Sequence, residues 1–316
     1  QTIEGGTGDF LQTIVLVGSG AALLAALLVF FYTRRLIRPL SVMADAAGRM
    51  AQGQFDTRVE ISRTAPEMAR LADSFNTMAD KLSELESSRR EFVANVAHEL
   101  RSPITSIRGF VEGMEDGTIP PQEHGKYLHI VGDETKRLSK LINDLLSLSR
   151  LEREDAQLQL TDFDMNEMLR RAVIRRMNDL DQKHMEVETD FRLDPCMVHA
   201  DSDRMEQVVV NLLDNAIKFT PQGGKIRLTT EDTGSVIQVT VWDNGQSILP
   251  EDRDKVFDRF FTADRAHTAG KGTGLGLSIC KRILEFHGQS IRLADTTEGA
   301  AFVFTLEKGK ATEDKK

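Results

Sequence analysis

Residues 92–110 read FVANVAHELRSPITSIRGF, and Phe92, Val96 and Leu100 recur every fourth residue, as one face of an α-helix requires. Upstream, Leu71, Phe75, Met78, Leu82 and Leu85 step by 4, 3, 4 and 3, which is the seam of a coiled coil. Downstream, the helix is expected to run to about Met114, where Asp116-Gly117 and Pro120-Pro121 break it. A second helix follows with Tyr127, Val131, Leu138, Leu141, Leu145 and Leu148 at heptad positions and Glu134 interrupting. Two long antiparallel helices, each with an apolar seam, make half of a four-helix bundle that a second copy of the chain completes.

Toward the N-terminus, residues 10–32 carry no charge and are rich in Leu, Val, Ala and Phe. At about 1.5 Å per residue such a run spans a hydrocarbon core of roughly 30 Å, so a transmembrane helix is expected. Arg34, Arg35 and Arg38 follow the run instead of preceding it, unlike a cleaved leader, and place the following residues in the cytoplasm. Residues 1–9 then read as an extracellular remnant of a longer protein, multi-pass when whole, whose sensor domain lies outside. Between 35 and 83 two short helical patterns flank a polar stretch with Gly53; Pro39 stands near the start of the first, and Pro66-Glu67 opens the second.

Beyond about Leu158 strands and helices alternate. Ile226 and Leu228 lead through Asp232-Thr233-Gly234 to Ile237, Val239 and Val241, which alternate with polar residues as a β-hairpin does. Further strands are expected at 185–193, 197–200, 289–294 and 301–306, with helices at 164–183, 201–219 and 273–287. This is an α+β sandwich, one mixed sheet covered by helices. In 316 residues there is room for two or more such folded units.

Composition excludes several classes. A net charge of -9 gives no electrostatic footprint for nucleic acid. The two cysteines, Cys196 and Cys280, lie far apart and lack zinc or disulfide-framework spacing. His98-Glu99 opens like a zinc-protease helix, but the second histidine of that motif would fall at Ser102.

What remains is a nucleophile and a set of nucleotide-binding features. A neutral imidazole at His98 presents one nitrogen as nucleophile, while an adjacent carboxylate, Glu99, is suited to fix the tautomer and remove the proton. Pro103 deletes the backbone bond to the Glu99 carbonyl and is expected to bend the helix just past the site. Ser102 lies one turn on, on the His98 face. In NLLDNAIKFT, residues 211–220, Asn211, Asn215 and Lys218 share one helix face, suited to Mg²⁺ and polyphosphate. A strand then delivers Asp243-Asn244-Gly245, whose carboxylate suits an adenine amine. The run GKGTGLGL, residues 270–277, leads into a helix whose first amides can receive phosphate; it matches neither a Walker loop nor GxGxxG.

These strings, in this order, resemble the bacterial membrane sensor histidine kinases of two-component systems. The resemblance implies a transmembrane helix (10–32), a HAMP-like coiled-coil linker (33–84), a dimerisation and phosphoacceptor hairpin (85–155), a GHKL-type ATP-binding domain (156–308) and a charged tail (309–316). It implies ATP and Mg²⁺ as cofactors, with autophosphorylation of His98 and transfer to an aspartate on a response regulator receiver domain. Homodimerisation and attachment to the lipid bilayer are implied too, with no direct nucleic-acid contact. In that pattern His98, Glu99 and Ser102 are the catalytic group, Ser102 standing where the family often has Thr or Asn for removing phosphate from the partner. Asn211, Asn215, Lys218, Asp243, Gly245, Lys271, Gly272, Thr273, Gly274, Leu275 and Gly276 bind nucleotide, and Asn215 ligates the metal. Three departures stand out: Ser247 replaces a glycine, Phe260-Phe261-Thr262 replaces Phe-Tyr-Arg, and the last glycine box is only Glu298-Gly299-Ala300. Lys218, Arg265 and Lys271 are the candidate phosphate cations. A catalytically weak signalling scaffold and a chaperone or DNA-repair ATPase sharing the nucleotide fold are the rival readings.

Overall fold

The computed structural model describes residues 4–60, 66–151, 157–262 and 273–310, so residues 1–3 of the expected remnant and 311–316 of the tail lie outside the described residues. The chain divides into two units, Gln1–Ala94 and Asn95–Lys316. In the first, helix α1 (Glu4–Tyr32) is long and apolar enough to cross a membrane. A π-helical turn, Thr33–Ile37, leads into α2 (Arg38–Ala51), where Pro39 occupies the first turn. Pro is tolerated there because the first amides of a helix have no intrahelical acceptor.

Helix α2 buries Met43, Ala46 and Met50, one face at helical spacing. Met43 and Ala46 cluster with Val59 of the connector and with half-buried Phe75 of helix α3 (Pro66–Glu115). Asn76 secures that connector: its Oδ1 accepts from the Val59 amide at 2.9 Å and its Nδ2 donates to the Val59 carbonyl at 3.0 Å. A segment without secondary structure thereby has both backbone groups of its buried residue paired. On α3, Ala72 and Ala79 are buried, whereas Leu71, Met78 and Leu85 of the expected seam stay exposed. Within the single chain those three seam positions stay uncovered.

In the second unit the end of α3 turns at Glu115 and, through a 3₁₀ turn at Pro121–Glu123, returns as α4 (His124–Leu151). Phe110 and Tyr127 meet across this hairpin with ring centroids 5.2 Å apart. Pro103 is buried within α3, which continues as helix on both sides of it. Leu141 and Leu148, expected in a dimer core, are already buried within the one chain, with Asp144 and Leu151.

A short antiparallel pair, β1 (Leu160–Asp164) with β3 (Met197–Asp201), precedes the main sheet. The sequence reading omitted β1, which is five residues long and mostly exposed and so lacks an alternating apolar pattern. Helices α5 (Met165–Arg175) and α6 (Met177–Gln182) replace the single helix expected at 164–183, because Arg176 leaves helical geometry at φ -104°, ψ 8°. The main sheet has the order β2-β4-β5-β7-β6, from β2 (Glu186–Phe191), β4 (Lys225–Asp232), β5 (Ile237–Asp243), β6 (Ile291–Leu293) and β7 (Ala300–Leu306). Only β2 and β4 pair in parallel, so the sheet is mixed, as expected. Helices α7 (Ser202–Phe219) and α8 (Gly276–Phe286) pack on each other, and α4 packs on α8. Helix α8 begins at Gly276, not 273, because Gly274 takes φ +67°, outside the helical region.

Candidate functional site

Strict alternation along β5 decides where the site forms. Ile237, Val239, Val241 and Asp243 all point to the buried face, so the period that buries three aliphatic side chains also carries a carboxylate inward at the strand's end. Asp243 is 3% exposed, and burial pushes its carboxyl up to about 6, against the pull of the Gly245 amide, which donates to Oδ1 at 2.9 Å. Gly245 itself admits no side chain: a Cβ would lie 2.5 Å from the Phe219 carbonyl oxygen. Thr220, at the end of α7, is buried, and its hydroxyl beside Asp243 also pulls that carboxyl down.

Asp201 caps α7, its Oδ1 accepting from the Arg204 amide at 3.2 Å. That helix buries Val208, Val209, Leu212, Leu213, Ala216 and Ile217 while Asn215 and Lys218 reach a cavity of about 180 Å³. Asn211 lies at its edge, donating to the Gly276 carbonyl at 3.4 Å. Asp243, Thr273, Gly274 and Gly276 line the same cavity, with Val256, Ile248, Phe261 and Phe302 as its apolar wall. Gly245 and Leu275 are not among the lining residues; Leu275 is fully buried. Lys271, Gly272 and Arg265 lie outside the described residues.

Among the lining residues that escaped the sequence reading, two are charged, Lys140 and Asp214. Lys140 Nζ donates to Asp214 Oδ2 at 3.1 Å, and Arg176 Nε donates to Oδ1 at 2.7 Å. One turn along α4, Asp144 accepts from the Thr273 hydroxyl at 2.9 Å; burial raises the Asp144 carboxyl above its ordinary range. The thiols of Cys196 and Cys280 are buried, and burial pushes them up to about 11 and about 12, which disfavours the thiolate.

His98 and Ser102 are exposed on α3, one turn apart. Glu99 is partly buried, its Oε2 accepting from Arg137 Nη2 at 3.0 Å. The second unit thus carries an exposed imidazole on a helical hairpin and a cavity lined by an inward carboxylate, an amide-and-ammonium helix face and part of a glycine-rich rim.

Residues 31–84 match the HAMP domain family, residues 88–154 the His Kinase A (phospho-acceptor) domain, and residues 200–310 the histidine kinase-, DNA gyrase B- and HSP90-like ATPases. Sensor protein SrrB of Staphylococcus aureus strain MRSA252 is 37% identical over 237 residues, covering 73% of this chain and 40% of SrrB. The chain belongs to the sensor histidine kinase family.

It spans about two-fifths of the length of the SrrB relatives it matches. Among solved structures, histidine kinase ThkA in complex with response regulator protein TrrA is 32% identical, covering 72% of this chain and 66% of that one, with a TM-score of 0.60. Acinetobacter baumannii histidine kinase AdeS is 27% identical over 67% of this chain and 98% of its own, with a TM-score of 0.57. Family membership accounts for the order of the three regions along the chain. His98 falls within the phosphoacceptor match and Asp243 within the ATPase match.

Proposed function

We propose that this chain is a membrane-anchored, ATP-dependent protein-histidine kinase that phosphorylates His98 and passes the phosphoryl group to an aspartate of a response regulator receiver domain. The observation that carries this reading is the inward carboxylate of Asp243 in a cavity that Asn215 and Lys218 also line. The Asp243 carboxylate suits an adenine amine, the apolar side chains of Val256, Ile248 and Phe302 a purine, and the amide-ammonium face a polyphosphate. Among the described residues no three His, Cys, Asp or Glu side chains gather as a metal cage. Mg²⁺ held by the Asn215 amide oxygen together with phosphate oxygens fits that donor set, and when bound it neutralises phosphate charge.

In the first step a nitrogen lone pair of His98 forms a bond to the γ-phosphorus as the bond to the β,γ-bridging oxygen breaks, and ADP leaves with that electron pair. Glu99 accepts the proton that the imidazole sheds. In the second step a carboxylate oxygen of the regulator's aspartate attacks phosphorus, the P–N bond breaks, and imidazole recovers its electrons. Thr105, Gly109 and Phe110, on the helix after His98, are the proposed contacts for the regulator, and Ser102 stands where the family often has a Thr or Asn that assists water in removing phosphate from the partner. ThkA, a relative, is seen in complex with a response regulator, which supports this partner class.

The exposed apolar residues Ile104, Val111, Leu128, Ile142 and Leu146 on the hairpin support a homodimeric four-helix core. Helix α1, followed by Arg34, Arg35 and Arg38, supports anchoring in a bilayer with the later residues cytoplasmic. The reading is tested by incubating the detergent-solubilised chain with Mg²⁺ and ATP labelled at either the γ- or the α-phosphorus. Acid-labile, base-stable protein label from the γ-position alone is expected; label from neither, or acid-stable label, rejects the reading.

A further inference from the structure

One face of α4 carries three polar side chains at i, i+3 and i+7, each engaging a different element. Arg137 holds Glu99 on α3, Lys140 holds Asp214 on α7, and Asp144 holds Thr273 of the glycine-rich rim. Of the three, Lys140 lines the candidate nucleotide cavity. A helix of the phosphoacceptor hairpin therefore contributes a cation to the cavity of the ATPase fold.

The charges around the cavity make that cation matter. Its described ionisable lining is Lys140, Lys218, Asp214 and Asp243, two of each sign, whereas a nucleoside triphosphate brings about four negative charges. Asp214 neighbours Asn215 and would repel phosphate unless compensated. Its two oxygens have separate partners: Oδ1 is held by Arg176 at 2.7 Å, and Oδ2 by Lys140 at 3.1 Å. Arg176 does not line the cavity and is the better buried of the two cations, with 29% of its side chain exposed against 50% for Lys140. Its guanidinium is held above its ordinary range chiefly by the bond to Asp214. Arg176 is thus the standing counterion of Asp214, and Lys140, a point charge on a flexible stem, is the transferable one.

We propose that Lys140 is a phosphate-recognition residue: the polyphosphate of a bound nucleotide draws its ammonium from Asp214 Oδ2, so that the phosphoacceptor hairpin itself holds the nucleotide. This rests on the ATP reading above and adds to it the helix that registers occupancy. Adenosine, which has no phosphate, leaves Lys140 on Asp214; ADP and ATP move it. Because Arg137 and Asp144 lie on the same helix face, nucleotide charge is coupled through α4 to the helix carrying His98.

The test compares adenosine, ADP and ATP binding by calorimetry on the full chain in detergent, unaltered and as Lys140→Met and Lys140→Arg. Lys140→Met is expected to weaken ATP by about threefold to fivefold and leave adenosine within about twofold, while Lys140→Arg stays within about twofold for both. In an Asp214→Asn background, with its competing carboxylate gone, the Lys140→Met loss on ATP should change by a measurable factor, as interacting sites do. Equal weakening of adenosine and ATP would assign Lys140 a structural role and overturn the proposal, as would unchanged ATP affinity in Lys140→Met. Failure of the unaltered chain to bind any of the three would instead overturn the nucleotide reading beneath it.

Discussion

Arg137 and Glu99 are joined across the helical hairpin, Nη2 to Oε2 at 3.0 Å, with about a quarter of each side chain exposed. The carboxylate beside His98 is therefore oriented by the returning helix and not by its own neighbours along α3. Glu134 stands 3.8 Å from the same guanidinium, one of its oxygens buried without a hydrogen bond. Arg137 is the shared cation of two partly buried carboxylates. Arg137→Met is expected to cost about 1–2 kcal/mol, the usual worth of a charge-assisted hydrogen bond lessened by solvent access. The urea midpoint of the hairpin's transition reads this; an unchanged midpoint contradicts it.

Asp243 gives a pH signature. With its folded carboxyl pushed up to about 6 from an ordinary 3.8, the native state binds more protons than the unfolded state between those values, so this group's contribution to stability falls as pH rises from about 4 to about 6. Adenine recognition runs the other way, because only the ionised carboxylate is a pure acceptor. Adenosine affinity should drop as pH falls from 7.5 to 5, with its midpoint near 6. Asp243→Asn should bind weakly at every pH and show no such midpoint; a parallel pH profile in the variant would move adenine recognition elsewhere.

Gly274 answers to the backbone. It has φ +67°, and a Cβ there would lie 2.7 Å from the Cα of Phe260, itself left-handed at φ +61°. Gly274→Ala is expected to leave the fold intact by circular dichroism and to weaken ATP by about tenfold or more, since a methyl in that conformation costs about 1–2 kcal/mol before the clash is counted. Retained affinity would show that this rim does not shape the site.

Ser247, which replaces an expected glycine, lines the cavity without a positive φ, so its backbone is not strained. Ser247→Gly therefore has no strain to relieve. Titration calorimetry should give ATP affinity equal to or weaker than the unaltered chain; tighter binding would restore the strain reading.

Much of this was legible in the sequence because periodicity and motif order are local. The 4-3 steps through Leu71 to Leu85, the β5 alternation and the face shared by Asn211, Asn215 and Lys218 all follow from neighbours along one element. What escaped involves partners far apart in sequence. Nothing near Lys140 marks it as a lining residue, because its role depends on Asp214, 74 positions away, and Asp144 meets Thr273 across 129 positions. Likewise β1 was missed because its pairing with β3 is long-range and its pattern is not apolar. The break at Arg176 escaped because no Gly or Pro announces it.

His98 is the residue on which phosphoryl transfer depends. The unaltered chain and His98→Gln, each given Mg²⁺ and γ-labelled ATP and checked for equal ATP binding, should differ completely: acid-labile phosphate mapped to the peptide containing residues 92–110 in the first and none in the second. Comparable phosphate incorporation in His98→Gln would contradict the account.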